Sequence, residues 1–185
     1  MVTVYVLIGV GVIVLIGMIS IFNRLKVMRN RVENAWSQID VQLKRRYDLI
    51  PNLIETVKGY AAHEKDTLER VIQARNMAVN AGTVKEQGQA ENMLTGALKS
   101  IFALSERYPD LKANQNFMML QEELAGTEGK IAYARQFHND CVMRYQTKKE
   151  LFPANMVASM FSFPDKEYFE LEEAAQREAP KVSFT

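Results

Sequence analysis

An all-α fold with an N-terminal transmembrane helix is predicted by three features. The chain starts with an uncharged apolar run, apolar positions then recur every three or four residues, and glycine and proline are scarce between them. The expected architecture is that transmembrane helix followed by an up-and-down four-helix bundle with two long helices. The expected divisions are an anchor over residues 1–23, a helical bundle over 24–151, and an aromatic and acidic tail over 152–185.

The anchor comes first. Val2 to Phe22 holds no charged residue and is interrupted only by Thr3, Tyr5, Ser20 and three glycines. At about 1.5 Å per residue this run reaches roughly 31 Å, the thickness of a bilayer's hydrocarbon core. A core helix apolar on every face would need a surrounding interior, which the remaining 160 or so residues are too few to supply. A cleaved signal peptide would carry a basic start and a small-residue exit. Here no cation precedes the run, and Ile21-Phe22-Asn23-Arg24-Leu25-Lys26 follows it, so the expectation is an uncleaved span. Gly9, Gly11 and Gly17 include no Gly-x-x-x-Gly spacing, so close dimerisation of the span has no specific support.

Orientation follows from the flanks. Arg24, Lys26, Arg29 and Arg31 lie just after the span and nothing basic lies before it. Lysine and arginine near a span stay on the cytoplasmic side, which predicts a single pass through the cell (inner) membrane, N-terminus out and C-terminal domain cytoplasmic. The same four cations are candidate contacts for anionic headgroups, each adding about 1 kcal/mol near the surface. A pure topology signal is the alternative.

The first bundle helix is written by Leu25, Met28, Val32, Trp36, Ile39, Leu43, Tyr47 and Ile50. Pro51 follows with no turn residues before it, so the helix is expected to kink and continue through Leu53, Ile54 and Val57, reversing between Gly59 and Glu64. A second helix carries Leu68, Val71, Ile72, Ala78 and Val79, with Arg75 intruding on the apolar stripe; its stem is expected to pack and its head to reach water. Asn80-Ala81-Gly82 reads as a C-cap with a left-handed glycine. Thr83 with Glu86 forms a capping box for a third helix, lined by Leu94, Leu98, Ile101 and Phe102 and ended by Tyr108-Pro109-Asp110. The fourth helix has the most regular seam: Phe117, Leu120, Leu124, Thr127, Ile131, Ala134, His138, Cys141 and Tyr145. Phe152-Pro153 breaks it. Beyond lie Phe161, Phe163, Tyr168 and Phe169, a second proline at 164, acidic residues at Glu167, Glu170, Glu172 and Glu173, and an end expected to fray. These aromatics either dock in a groove of the bundle or meet a partner or membrane.

Little in the chain points to chemistry. The net charge of +1 favours neither nucleic acid nor an acidic substrate, and no aromatic-basic repeat suited to stacking bases is present. Only His63 and His138 are available as imidazole ligands, and neither stands three residues after a glutamate, so the di-metal pattern of helical bundles is missing. Cys141 is the one cysteine, which excludes an internal disulfide. It lies one helical step from His138, but a reactive thiolate needs an electropositive, partly exposed setting, and both residues occupy the seam. No catalytic residue, cofactor-binding residue or metal ligand is assigned, and no cofactor is expected. Lys44-Arg45-Arg46 wraps most of a helix turn, so at least one cation points toward a neighbour. The run is either a solvated face paired with Asp40 and Asp48 or an anion- or partner-binding patch.

The block Val32-Glu33-Asn34-Ala35-Trp36-Ser37-Gln38-Ile39-Asp40-Val41-Gln42-Leu43-Lys44-Arg45-Arg46-Tyr47-Asp48-Leu49-Ile50-Pro51-Asn52-Leu53, continuing to Val57-Lys58-Gly59-Tyr60, resembles the signature of the LemA family of bacterial membrane proteins. Ala134-Arg135-Gln136-Phe137-His138-Asn139-Asp140 and Phe152-Pro153 with Tyr168-Phe169 resemble its other marks, over essentially the full chain. Where the family typically carries Tyr-Asn, this chain has Phe137-His138 and Tyr145-Gln146. The resemblance implies a span followed by a helical bundle, no established reaction, and, through a branch associated with magnetosome membranes, a role in membrane organisation. The expectation is a non-enzymatic, membrane-anchored scaffold. Its candidate lipid or partner contacts are Arg24, Lys26, Arg29, Arg31, Lys44, Arg45, Arg46, Phe161, Phe163, Tyr168 and Phe169. Anionic lipid headgroups and an unidentified protein are the expected partners, and nucleic acid is not. The alternative is an accessory subunit of a membrane signalling or proteolysis system.

Overall fold

One uninterrupted helix, α1 (Val2–Lys58), carries both the apolar run and the first amphipathic segment. The computed structural model describes residues 1–170, and among them the only regular secondary structure is helix. After α1 come α2 (Lys65–Val79), α3 (Val84–Ser105), the single turn α4 (Pro109–Lys112), α5 (Gln115–Glu150) and the short α6 (Ala154–Met160). The chain is all-α, with a long N-terminal apolar helix followed by further helices. The four amphipathic segments correspond to α1 from Leu25 onward, α2, α3 and α5. The sequence pattern does not announce α4 and α6, each of which starts at or just after a proline: Pro109 is the first residue of α4, and Pro153 immediately precedes α6. Glu172, Glu173 and the expected fraying lie outside the described residues.

Pro51 stands inside α1 and has no N–H to give the carbonyl four residues back, that of Tyr47. Arg75 of α2 supplies the missing donor: its Nε–H donates to the Tyr47 carbonyl oxygen at 2.9 Å. The sequence places the Arg75 head in water; in the structure it is partly buried against the α1 backbone. A backbone acceptor left open by proline accounts for a cation on an apolar stripe.

The turn from Gly59 to Glu64 separates α1 from α2, as the breaks in pattern indicate. At the end of α2 the expected left-handed glycine does not form, because no glycine among the described residues has positive φ. Asn80 does the capping: its side-chain amide donates to the Asn76 carbonyl at 2.7 Å. Gly82 N–H turns instead to the Glu86 carboxylate at 3.0 Å. The capping box does form. Thr83 Oγ1 accepts from Glu86 N–H at 3.1 Å, and Glu86 Oε2 accepts from Thr83 N–H at 3.1 Å, an arrangement worth about 1 kcal/mol.

The described residues sort into two units, 1–42 with 130–168, and 43–129 with Phe169 and Glu170. In the first unit, Leu25 and Val32 of α1 pack with Val142 and Tyr145 of α5 and with Ala158 and Phe163, edged by Ile21, Phe22, Met28 and Cys141. In the second, Ile50, Leu53 and Val57 of α1, Leu68 and Val71 of α2, Leu94, Leu98 and Ile101 of α3, and Phe117 and Leu124 of α5 are buried. Phe117 meets Phe102 edge-on, ring centroids 6.2 Å apart. The expected α5 seam is buried at Phe117, Leu124, Thr127, Ile131, Ala134, His138 and Tyr145, and half-buried at Leu120 and Cys141.

Candidate functional site

The first candidate surface is α1 itself. Residues 2 to 17 are all exposed, and within the apolar run only Met18, Ile21 and Phe22 are partly covered. A helix apolar on every face and uncovered by protein is suited to lipid. It is the only helix among the described residues long and apolar enough to cross a bilayer. Just beyond it Arg24, Lys26 and Arg31 are exposed. Arg29 is half-buried, its Nε 3.6 Å from the exposed Glu33 one turn along the same helix, whose carboxylate also takes Lys166 Nζ at 3.2 Å.

The second is the segment after α5. α6 ends in a Schellman motif: Ser162 takes the left-handed conformation (φ 51°), Ser162 N–H reaches the Ser159 carbonyl at 3.4 Å, and Phe163 N–H reaches that of Ala158 at 3.0 Å. This turn carries Phe163 back onto the core, 5.6 Å from the Phe22 ring centroid, while Phe161 sits edge-on at 4.9 Å from the same ring. Tyr145 Oη then holds the Pro164 carbonyl at 2.7 Å, and Gln146 Nε2 holds that of Lys166 at 3.0 Å. Of the four aromatic candidates, Phe163 and Phe169 are therefore buried, while Phe161 and Tyr168 remain exposed.

The third is the Lys44-Arg45-Arg46 run, which the structure splits. Lys44 and Arg45 face outward, Arg45 lying 3.6 Å from Glu123. Arg46 turns inward and is 3% exposed, so it is not offered to a partner. Its Nη1 donates to Glu91 at 3.0 Å and lies 2.7 Å from Glu128, and its Nη2 donates to Thr95 Oγ1 at 2.8 Å. Tyr47 Oη donates to the other Glu91 oxygen. Gln87 Nε2 reaches Tyr47 Oη at 2.8 Å and the Ala78 carbonyl at 3.2 Å. Burial pushes the Glu91 carboxyl up from its ordinary range, opposed by the Tyr47 hydrogen bond and the Arg46 charge. Burial and the Glu91 charge push the Tyr47 phenol far up, so it stays a donor. Arg46, Tyr47, Gln87 and Glu91 thus hold one another inside the unit, and the network fits a role in fixing helix register.

The His138–Cys141 pair offers no activated nucleophile. Burial lowers the His138 pKa, keeping the imidazole neutral, and its ring packs edge-on against Trp36 at 5.5 Å. Burial pushes the Cys141 thiol up, away from thiolate, despite the nearby Arg144 and Arg31. Among the described residues no group of three or more His, Cys, Asp or Glu is placed to hold a metal.

The LemA family model matches residues 35–184. The chain belongs to the LemA family. Protein LemA of Metamycoplasma hominis is 27% identical over 155 residues, covering 82% of this chain and 69% of that protein. Magnetosome protein MamQ 2 of Paramagnetospirillum magneticum is 22% identical over 175 residues, and Magnetosome protein MamQ of Magnetospirillum gryphiswaldense 24% over 174. Each match covers 80% of this chain and 64% of the relative, so the chain spans less than two thirds of those magnetosome proteins. The LemA match takes in the Arg46 network, Arg75 and α6, and begins after the span and Arg24 to Arg31.

Proposed function

We propose that this LemA-family chain is a non-enzymatic, single-pass membrane-anchored helical scaffold that organises or remodels the bacterial membrane. The observation that carries the reading is the uncovered apolar run of α1, which continues without a break into a folded helical unit. The N-terminus lies outside the inner membrane and the domain in the cytoplasm, with the exposed Arg24, Lys26 and Arg31 at the headgroups of the inner leaflet. The magnetosome relatives support a role at membranes, and the inward-facing polar groups support the absence of catalysis.

The test is the full chain reconstituted into anionic and neutral vesicles, with vesicle shape followed by cryo-electron microscopy and anionic-lipid clustering by self-quenching of a labelled lipid. Clustering or deformation that grows with protein density and weakens with salt or on replacing Arg24, Lys26 and Arg31 by Gln is the expected result. Vesicles unchanged in shape and lipid distribution at every density would sink this reading and turn the search to a protein partner, as for an accessory signalling or proteolysis subunit.

A further inference from the structure

We infer that residues 151–164 form a second membrane-embedded segment, a short re-entrant hairpin beside the span, whose outer face is covered by lipid acyl chains of the leaflet adjoining the domain. The inference rests on the reading of α1 as a membrane anchor.

Charge distribution is the first support. Leu151 to Pro164 is fourteen residues without a single charge, bracketed by Lys148-Lys149-Glu150 on one side and Asp165-Lys166 on the other. An uncharged stretch of this length is too short to cross a bilayer, which takes about 20 helical residues, and suits a re-entrant or interfacial segment.

Depth is the second. Phe152, Met156 and Met160 line an apolar groove of about 410 Å3 together with Val14, Met18 and Ile21 of the span. The span residues that the protein partly covers, Met18, Ile21 and Phe22, are those facing this segment. Val14 lies about 12 Å along the helix from Phe22 at 1.5 Å per residue. Side chains that reach Val14 therefore sit at the level of the apolar run, not outside it.

The third is what remains uncovered. Phe152 is 78% exposed, Met160 63%, Met156 62%, Leu151 53% and Phe161 51%. Facing water, these would make a contiguous apolar patch next to the span; facing acyl chains, they continue the surface that residues 2–17 already present. The backbone is suited to that setting. Asn155 N–H reaches the Leu151 carbonyl at 3.0 Å and Met156 N–H that of Pro153 at 3.3 Å, the end of α6 is closed by the Ser162 turn, and the returning segment is held by Tyr145 Oη on the Pro164 carbonyl and by the Lys149–Asp165 ion pair.

The test uses the full chain in vesicles with Cys141→Ser and single cysteines at exposed positions: Met156→Cys or Phe161→Cys in the segment, Ile8→Cys in the span, and Met143→Cys on α5. Each carries a nitroxide, and collision with lipid-soluble oxygen and with a water-soluble nickel chelate is read by power-saturation paramagnetic resonance. The expected result is an oxygen-favoured ratio at 156 and 161 like that at 8, inverted relative to 143. Nickel access at 156 and 161 equal to that at 143, with 8 still in lipid, overturns the segment and leaves the anchor standing. Nickel access at 8 overturns the anchor and this inference with it. Shielding of 156 and 161 from both reagents means a second copy covers the face, and overturns the assignment to lipid.

Discussion

Replacing Arg75 with Met isolates the bargain between Arg75 and Pro51. The substitution keeps much of the apolar stem but removes the donor that holds the Tyr47 carbonyl at 2.9 Å. Pro51 cannot replace that donor, so a partly buried carbonyl is left open. Hydrogen bonds from charged groups are worth about 1.5–3 kcal/mol, and partial burial places the expected loss near the lower end, about 1.5–2 kcal/mol. Pro51→Ala changes the outcome. Residue 51 then has an N–H to give the Tyr47 carbonyl in the ordinary helical way. Relief of the interior-proline penalty is offset in part by a freer unfolded chain, giving a net gain of about 1–2 kcal/mol. In that background Arg75→Met should cost well under 1 kcal/mol, leaving a coupling of about 1 kcal/mol or more between positions 51 and 75. Urea unfolding of the full chain in detergent micelles, followed by far-ultraviolet circular dichroism, measures all four corners of the cycle. An equal cost of Arg75→Met with and without Pro51 would refute the claim that Arg75 compensates for the proline.

Arg46→Met removes the cation that opposes the burial of Glu91 and leaves that carboxyl without its charged partner, beside Glu128, and should cost about 3–5 kcal/mol in the same assay. Arg45→Met, one residue earlier on the exposed face, should stay within about 1 kcal/mol; comparable losses would show that Arg46 is solvated. Two glycines of α3 should respond with opposite sign. A Cβ at Gly96 meets nothing within 4 Å, so Gly96→Ala should stabilise by about 0.5–1 kcal/mol. A Cβ at Gly88 would lie 2.5 Å from the Glu170 carbonyl oxygen. Gly88→Ala should therefore lower the melting temperature, the crowding costing about 1–3 kcal/mol against that gain. Equal stabilisation at both sites would show that the chain at Glu170 does not rest on α3.

How far each element could be read from sequence depended on whether its cause was local. The α5 seam repeats within one helix, and the Thr83–Glu86 box closes over three residues, so both were visible in the pattern. Lys44, Arg45 and Arg46 are adjacent cations about 100° apart around a helix. Which one turns inward depends on Glu91 and Thr95 of α3 and Glu128 of α5, far along the chain. Arg75 defied its stripe because its partner is a backbone carbonyl vacated by a proline on another helix, and no side-chain pattern records that. Gly82 looked like a cap, but Asn80 reached the helix end first. The charge-free stretch from Leu151 to Pro164 was present in the sequence; short helices bounded by proline give too few turns for periodicity to mark α6.

Because α1 has no joint between its apolar run and Leu25, there is no swivel between them. A flexible tether would let the folded part sample many headings above the bilayer; a continuous helix sets one azimuth. The side of the span beneath Phe161 and Phe163 is chosen by counting residues, as on a clock face. Inserting one residue between Phe22 and Leu25 would turn that dial by about 100°, while seven, close to two full turns, would return it to within about 20°. Spacing at this junction is thus a determinant of heading, independent of which residues occupy it.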